Sequence, residues 1–255
     1  MTALITGGSS GLGLEYASQL AAKGYDLILV SNREGELATA REQLEAAFKV
    51  RVTTRFLDLA TPDAADVLFN WCVNAAGILP DVLINNAGMF FFKELEPEDM
   101  GRVQAMVNLH MVTVTRSCLL FGEAMKRRGS GRILIMSSMA ASIPAPGITI
   151  YSATKAYLKS FGRSLSYEFN PHGVSVTTVC PAAIATPLYR LSEKKMKLGV
   201  AIGAIHTPKW LVRRALRAMF HGRRVICPSI MNIWLPAAIA LLPGPLVAAI
   251  WKRLK

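Results

Sequence analysis

The 255-residue chain has little from which to build a disulfide framework or a metal site. Its four cysteines, Cys72, Cys118, Cys180 and Cys227, lie far apart in sequence, and its four histidines form no cluster. No CxxC pair occurs. That pattern excludes a disulfide-stapled secreted scaffold and a zinc finger, and it points to a reducing compartment. Acidic residues are scarce as well: 17 Asp and Glu stand against 29 Lys and Arg, a formal charge of +12. Such an excess fits an anionic partner, whether nucleic acid, lipid or cofactor. Position decides among these. Nine of the cations and no acid fall between residue 209 and the end, with no zinc-finger, basic-zipper or RNA-binding motif beside them. A membrane surface is therefore preferred to nucleic acid. The opening MTALITGG shows no charged leader and cleavage site but runs straight into a strand pattern. A cytoplasmic chain is expected, with the basic end as its point of contact with a membrane.

Low-complexity linkers and internal repeats are also missing, and 52% of the residues are hydrophobic, enough for a sizeable core. What is present is alternation. Short apolar runs at 3–6, 26–31, 52–58, 82–85, 132–137, 174–180 and 224–227 read as seven strands. Between most of them lie segments such as LGLEYASQLAAKG, with apolar residues at three-and-four spacing, which read as helices. Strand and helix in steady alternation predict a doubly wound seven-stranded parallel sheet covered on both faces. Ligands of such sheets sit beyond the carboxyl ends of the strands, so the informative residues should follow strands.

The first strand ends in TGGSSGLG, residues 6–13, and a helix opens behind it. Gly7, Gly11 and Gly13 allow a tight turn and close approach of backbone N–H groups to a pyrophosphate, with Ser9, Ser10 and Leu12 in the same loop. By itself such a loop is also an ordinary strand-to-helix turn. After the second strand comes SNRE, where Ser31 and Asn32 offer no carboxylate for ribose hydroxyls, while Arg33 has the planar fork that suits a 2′-phosphate. NADP(H) is preferred on that ground, with NAD(H) the alternative. At YSATK, residues 151–155, a helix sets Tyr151 and Lys155 on one face one turn apart. A phenol titrates near about 10, and an adjacent ammonium draws it toward a working range for proton transfer. Taken alone, the pair is more often an ordinary surface contact.

In chain order, TGGSSGLG, Asp58-Leu59, NNAG at 85–88, Asn108, Ser137-Ser138 and YSATK resemble the short-chain dehydrogenase/reductase family over about residues 3–187. The thirteen residues from Ser138 to Tyr151 match that family's spacing too. The resemblance implies a Rossmann-type sheet and a catalytic set of Asn108, Ser138, Tyr151 and Lys155. In that set Ser138 holds the carbonyl oxygen, Tyr151 is the acid or base, and Lys155 tunes it and binds the nicotinamide ribose. Asn108 anchors a water leading to the lysine. It further implies that Asp58 and Leu59 lie near the adenine, that Asn85, Asn86, Ala87 and Gly88 brace the sheet against the cofactor, and that Pro181, Ile184 and Thr186 line the nicotinamide. One departure occurs in CPAAIATP, where Ala182 stands in place of the family's glycine.

The expected reaction interconverts a ketone and a secondary alcohol on a lipophilic substrate of steroid, 3-oxoacyl or 3-ketosphingoid type. A cofactor-binding regulatory or scaffold protein without turnover is the rival reading. Residues 1–228 are expected to form the catalytic domain. Within it, 188–222 would cover the substrate, with Met196, Leu198, Val200, Ile202 and Ile205 as apolar wall and Met89 to Phe92 opposite. Residues 225–251 carry no charge, yet Pro228, Pro236, Pro243 and Pro245 interrupt them. The tail, 229–255, is read as a membrane-surface or substrate-entrance element, with a dimer contact or a true span as the alternatives. By analogy with relatives, a homo-oligomer is expected.

Overall fold

The structure, a computed structural model, describes residues 1–143, 146–185, 200 and 205–229, together with 234, 238, 241, 243–246 and 252. Seven strands among the described residues form one parallel sheet: β1 (Thr2–Thr6), β2 (Asp26–Ser31), β3 (Val52–Phe56), β4 (Val82–Asn85), β5 (Gly131–Met136), β6 (Val174–Val179) and β7 (Val225–Ile226). Their order is β3-β2-β1-β4-β5-β6-β7. The chain therefore winds outward from β1 in one direction and then, from β4, in the other. This is the doubly wound arrangement that the alternation predicts.

Period-two alternation assigns each strand residue to a face. Ala3 and Ile5 of β1 and Leu27 and Leu29 of β2 enter one core, beneath α1 (Gly11–Ala21), α2 (Glu34–Ala47) and a helix at Pro208–Phe220, here α7. Leu4, Ile28 and Val30 enter the other, beneath α3 (Ala64–Phe69), α5 (Thr113–Arg128) and α6 (Thr149–Phe169). The second core is anchored by Phe121 and Leu68, both fully buried, and by Phe169. Truncating an aromatic side chain so placed costs about 3–5 kcal/mol. Two helix ends follow signals in the sequence. α5 carries Lys126, Arg127 and Arg128 in its last turn and stops at Gly129, whose φ of 77° is left-handed. α7 opens on Pro208 behind Thr207, whose hydroxyl accepts the Trp210 N–H.

The reversal of strand order leaves a crevice between the carboxyl ends of β1 and β4. Residues after β1, β2, β4, β5 and β6 open onto that end of the sheet. A helix α4 (Met100–Val107) runs into α5 through a π-helical turn, Asn108–Val112, in which Asn108 and His110 are buried.

Candidate active site

The glycine turn is clamped from both sides. Gly7, at φ 65°, donates its N–H to the Val30 carbonyl at 2.7 Å. Across the crevice the Asn86 side chain donates to the Thr6 and Gly7 carbonyls, while Thr6 Oγ1 accepts the N–H groups of Asn86 and Ala87 at 2.9 and 3.0 Å. Asn85 lies behind, its amide on Cys118 Sγ. A side chain at Gly13 would overlap the Gly7 carbonyl, so α1 packs directly on the turn and opens there. A turn of this shape fits a pyrophosphate. Ser10 takes the N-cap position in extended conformation, and Leu12 packs against the core behind it.

At the far end of the turn Ser9 is buried and its hydroxyl meets Ser31 Oγ at 3.0 Å. It also donates to the Glu36 carboxylate at 3.1 Å. Arg33 extends over the same carboxylate at 2.7 Å, and this hydrogen bond holds Glu36 below the usual carboxylate range, with Ser9 and Ser10 adding to it. The sequence reading found no acid at Ser31 and Asn32. The structure brings one from the first turn of α2. Asn32 is exposed beside it. Asp58 lies in the loop beyond β3, where its carboxylate accepts the Ala60 N–H at 3.0 Å, and Leu59 is buried next to it.

Lys155 is hydrogen-bonded to the end of β5 just before Ser138, and its ammonium lies near the Tyr151 ring one turn back along α6. Ser138 follows β5, and its Oγ accepts the Ala140 N–H at 3.1 Å as the N-cap of a short 3-10 turn, Met139–Ser142. Accepting there leaves the hydroxyl hydrogen free to point elsewhere. Ser137 donates to the Lys155 carbonyl at 2.7 Å, tying the strand end to α6. Lys155 Nζ is 5.6 Å from the centre of the Tyr151 ring and donates to the Met136 carbonyl at 2.9 Å. With only 5% of its surface exposed, it is pushed down to about 8 by burial. Pro181 closes this side by accepting the Met139 N–H at 2.8 Å. Ala182 is buried, and Ile184 is buried and bridges to His206. Thr186 lies outside the described residues, as do most of the residues 188–204 expected to cover the substrate.

Asn108 is tied to the loop after β3. Its amide donates to the Ala60 carbonyl at 2.9 Å, and its oxygen accepts from Gln104. Two residues on, His110 reaches the phenol's surroundings, which the sequence reading did not foresee. Met89 N–H donates to His110 Nε2 at 3.1 Å, so the ring proton sits on Nδ1 and is given to Thr154 Oγ1 at 2.9 Å. Thr154 in turn donates to the Tyr151 carbonyl. Burial, and secondarily the Lys155 charge, holds His110 well below the usual imidazole range and therefore neutral. Gly88 lies between the two groups: a side chain there would meet His110 Nε2 and approach Lys155 Nζ.

The Tyr151 ring lies edge-on to Phe90 at 5.0 Å and to His110 at 5.9 Å. Tyr151 belongs to a small apolar cluster with Phe91, Met106 and Ala140, against which Met89, Val103, Ile148 and Ile150 also pack. Met89, Phe90 and Phe91 of the expected wall thus pack around Tyr151, while Phe92 is exposed.

A sequence profile for short chain dehydrogenases matches residues 1–197, and the chain belongs to that family of oxidoreductases. Among curated relatives, the very-long-chain 3-oxoacyl-CoA reductase of Macaca fascicularis is 30% identical over 221 residues, covering 85% of this chain and 68% of the relative. The human protein of the same description is 33% identical over 195 residues, 75% of this chain and 62% of its own length. The chain therefore spans about two thirds of the relatives it matches. Two solved structures are similar through nearly their whole length. A short-chain dehydrogenase from Sphingobium yanoikuyae in complex with NADPH has a TM-score of 0.79 at 26% identity, covering 95% of this chain and 96% of the other. The bulky-bulky ketone specific alcohol dehydrogenase from Comamonas testosteroni has a TM-score of 0.78 at 25% identity, with 95% of each chain covered.

Proposed function

We propose that the chain is an NADP(H)-dependent reductase that interconverts a ketone and a secondary alcohol on a long apolar substrate, of the 3-oxoacyl class before the steroid or ketosphingoid classes. The observation that carries this reading is the apolar cluster around Tyr151, which sets the phenol among aromatic and aliphatic side chains suited to a lipophilic ketone. The relatives' description as 3-oxoacyl-CoA reductases supports the substrate class, and the NADPH in a similar structure supports the coenzyme.

The glycine turn and the α1 N-terminus would hold the pyrophosphate, Arg33 the 2′-phosphate, and Lys155 the nicotinamide ribose. The coenzyme, when bound, supplies the hydride. Ser138 directs its free hydroxyl hydrogen to the substrate oxygen and orients it. Tyr151 gives its phenolic proton to that oxygen as negative charge develops there, and takes it back in the alcohol-to-ketone direction. Lys155, fixed by Met136, offers its other N–H groups and its charge toward the phenol and stabilises the phenolate left behind. Asn108 completes the set at the mouth of the loop after β3. The cluster around Tyr151 excludes water from the proton transfer.

We further propose a homo-oligomer, by analogy with relatives, peripheral to the cytoplasmic face of a membrane. The uncharged stretch 225–251 supports the second half of that statement, since Trp234 and Leu241 are 69% and 84% exposed. No helix among the described residues is long and apolar enough to cross a membrane. NADPH oxidation followed with 3-oxoacyl thioesters of increasing chain length tests the proposal. kcat/KM should climb with chain length. No oxidation with any of them, in a protein that binds NADPH, leaves the scaffold reading instead.

A further inference from the structure

A cleft of about 530 Å³ opens between α6 and β7, away from the crevice, lined by Lys159, Arg163, Tyr167, His221, Arg223 and Arg224. Four of these six carry fixed positive charge, and no carboxylate lines the cleft. None of the four forms an ion pair among the described residues. Lys159, Arg163 and Tyr167 follow one another at intervals of four on one face of α6. Like charges at that spacing, faced by two further arginines, destabilise a fold that leaves them alone.

The surroundings hold these groups in place. Lys159 donates to Ser142 Oγ at 2.7 Å, and the Arg224 guanidinium lies over the Tyr167 ring at 4.4 Å. The backbone that carries the two arginines is pinned to β6, with Thr177 Oγ1 donating to the Arg223 carbonyl at 2.6 Å and Thr178 N–H to that of Arg224 at 2.8 Å. Guanidinium groups in such a concavity match the oxygens of a phosphate. One residue beyond Arg224 begins the stretch of 27 residues without charge. A phosphate site at the root of an apolar segment with an exposed tryptophan has the two chemistries of a lipid interface side by side.

We infer that this cleft binds the headgroup phosphate of an anionic phospholipid, and so orients the enzyme on a bilayer surface. The inference rests on the membrane-surface reading above and adds the site that recognises charge. The experiment is vesicle flotation of the full chain with phosphatidylcholine alone and with phosphatidylcholine containing phosphatidylglycerol, using wild type, R163E/R224E and the milder R163Q/R224Q. Melting curves certify that each variant is folded. The expected result is preferential binding of wild type to the anionic vesicles, reduced roughly tenfold in R163E/R224E and less in R163Q/R224Q. Equal binding of wild type and variants to anionic vesicles overturns the inference and leaves the apolar contact standing. Binding of wild type to neither vesicle overturns both. Glycerol 3-phosphate that displaces the protein from anionic vesicles, where sodium chloride of equal ionic strength does not, overturns the lipid source in favour of a soluble phosphate ester.

Discussion

Arg33 Nη1 and the Glu36 carboxylate lie 2.7 Å apart, one helical turn from each other, and the same carboxylate accepts from Ser9. The cation assigned to a 2′-phosphate is thus already engaged by an anion of its own chain. With the 2′-phosphate held by Arg33 as proposed, NADPH would have to displace Glu36, whereas the free 2′-hydroxyl of NADH could donate to it. Replacing Glu36 with Gln should shift preference toward NADPH. The pair is exposed, so the gain is about two- to fivefold in the ratio of kcat/KM for NADPH over NADH. Steady-state kinetics with both coenzymes measures it. A ratio unmoved in Glu36→Gln and also in Arg33→Ala places the discriminating contact elsewhere.

Tyr151→Phe removes one oxygen and nothing of the ring that packs edge-on to Phe90. Stability should hold, and quenching of intrinsic fluorescence by NADPH should be retained. Turnover of the ketone should fall by about two to four orders of magnitude, the usual worth of a positioned acid. Activity within a few-fold of wild type would remove Tyr151 from the mechanism.

His110 gives the fold a pH dependence of its own. Its folded pKa is depressed by burial and by Lys155, while in the unfolded chain it titrates near about 6.5. Below that value the unfolded state takes up a proton that the folded state refuses. Stability contributed by the neutral ring is therefore fully present above about pH 6.5 and is lost as pH falls, at up to about 1.4 kcal/mol per pH unit. In urea titrations between pH 7 and 5, wild type should lose stability faster than His110→Gln. Parallel loss in both proteins would mean that His110 protonates in place.

Much of the fold is legible in the sequence, because central strands buried on both faces leave apolar runs and the others still carry β-branched residues, and all seven fall where those runs are. The ends are less so. Asp58 reads as part of β3, yet the strand stops at Phe56: Leu57 N–H makes the last bond of the ladder, to the Ser31 carbonyl, and Asp58 folds back on Ala60. Order along the chain brings Ser138, Tyr151 and Lys155 to notice, but it says nothing of Glu36 or His110. Glu36 reaches the glycine turn only because α2 starts where it does. His110 reaches Thr154 from within a π-helical turn. Register hides another pair: β6 and β7 align Val179 with Ile226, which puts Cys180 beside Cys227 although 47 residues separate them in sequence. The Cys180 thiol is pushed up, first by its hydrogen bond with Cys227 and then by burial.

Lys155 is a charge kept where water is excluded, and its cost can be measured. Burial lowers it to about 8 from an ordinary value near 10.5. Between those two values the unfolded chain binds a proton that the folded chain has released, so stability rises with pH across that window. Below about pH 8 the folded state carries the charge and bears the whole penalty, on the order of 3 kcal/mol. Lys155→Met keeps the apolar stem and deletes the charge. The variant should be more stable than wild type at pH 7 by about that amount, less the bond to Met136, and the gap should close as pH approaches 10. It should also be inactive, because nothing remains to stabilise the phenolate of Tyr151. Urea midpoints at pH 7, 8.5 and 10, measured without coenzyme, decide the point. A gap that does not change with pH would show that Lys155 is hydrated in the free enzyme, and that its effect on the phenol begins only when the crevice is filled.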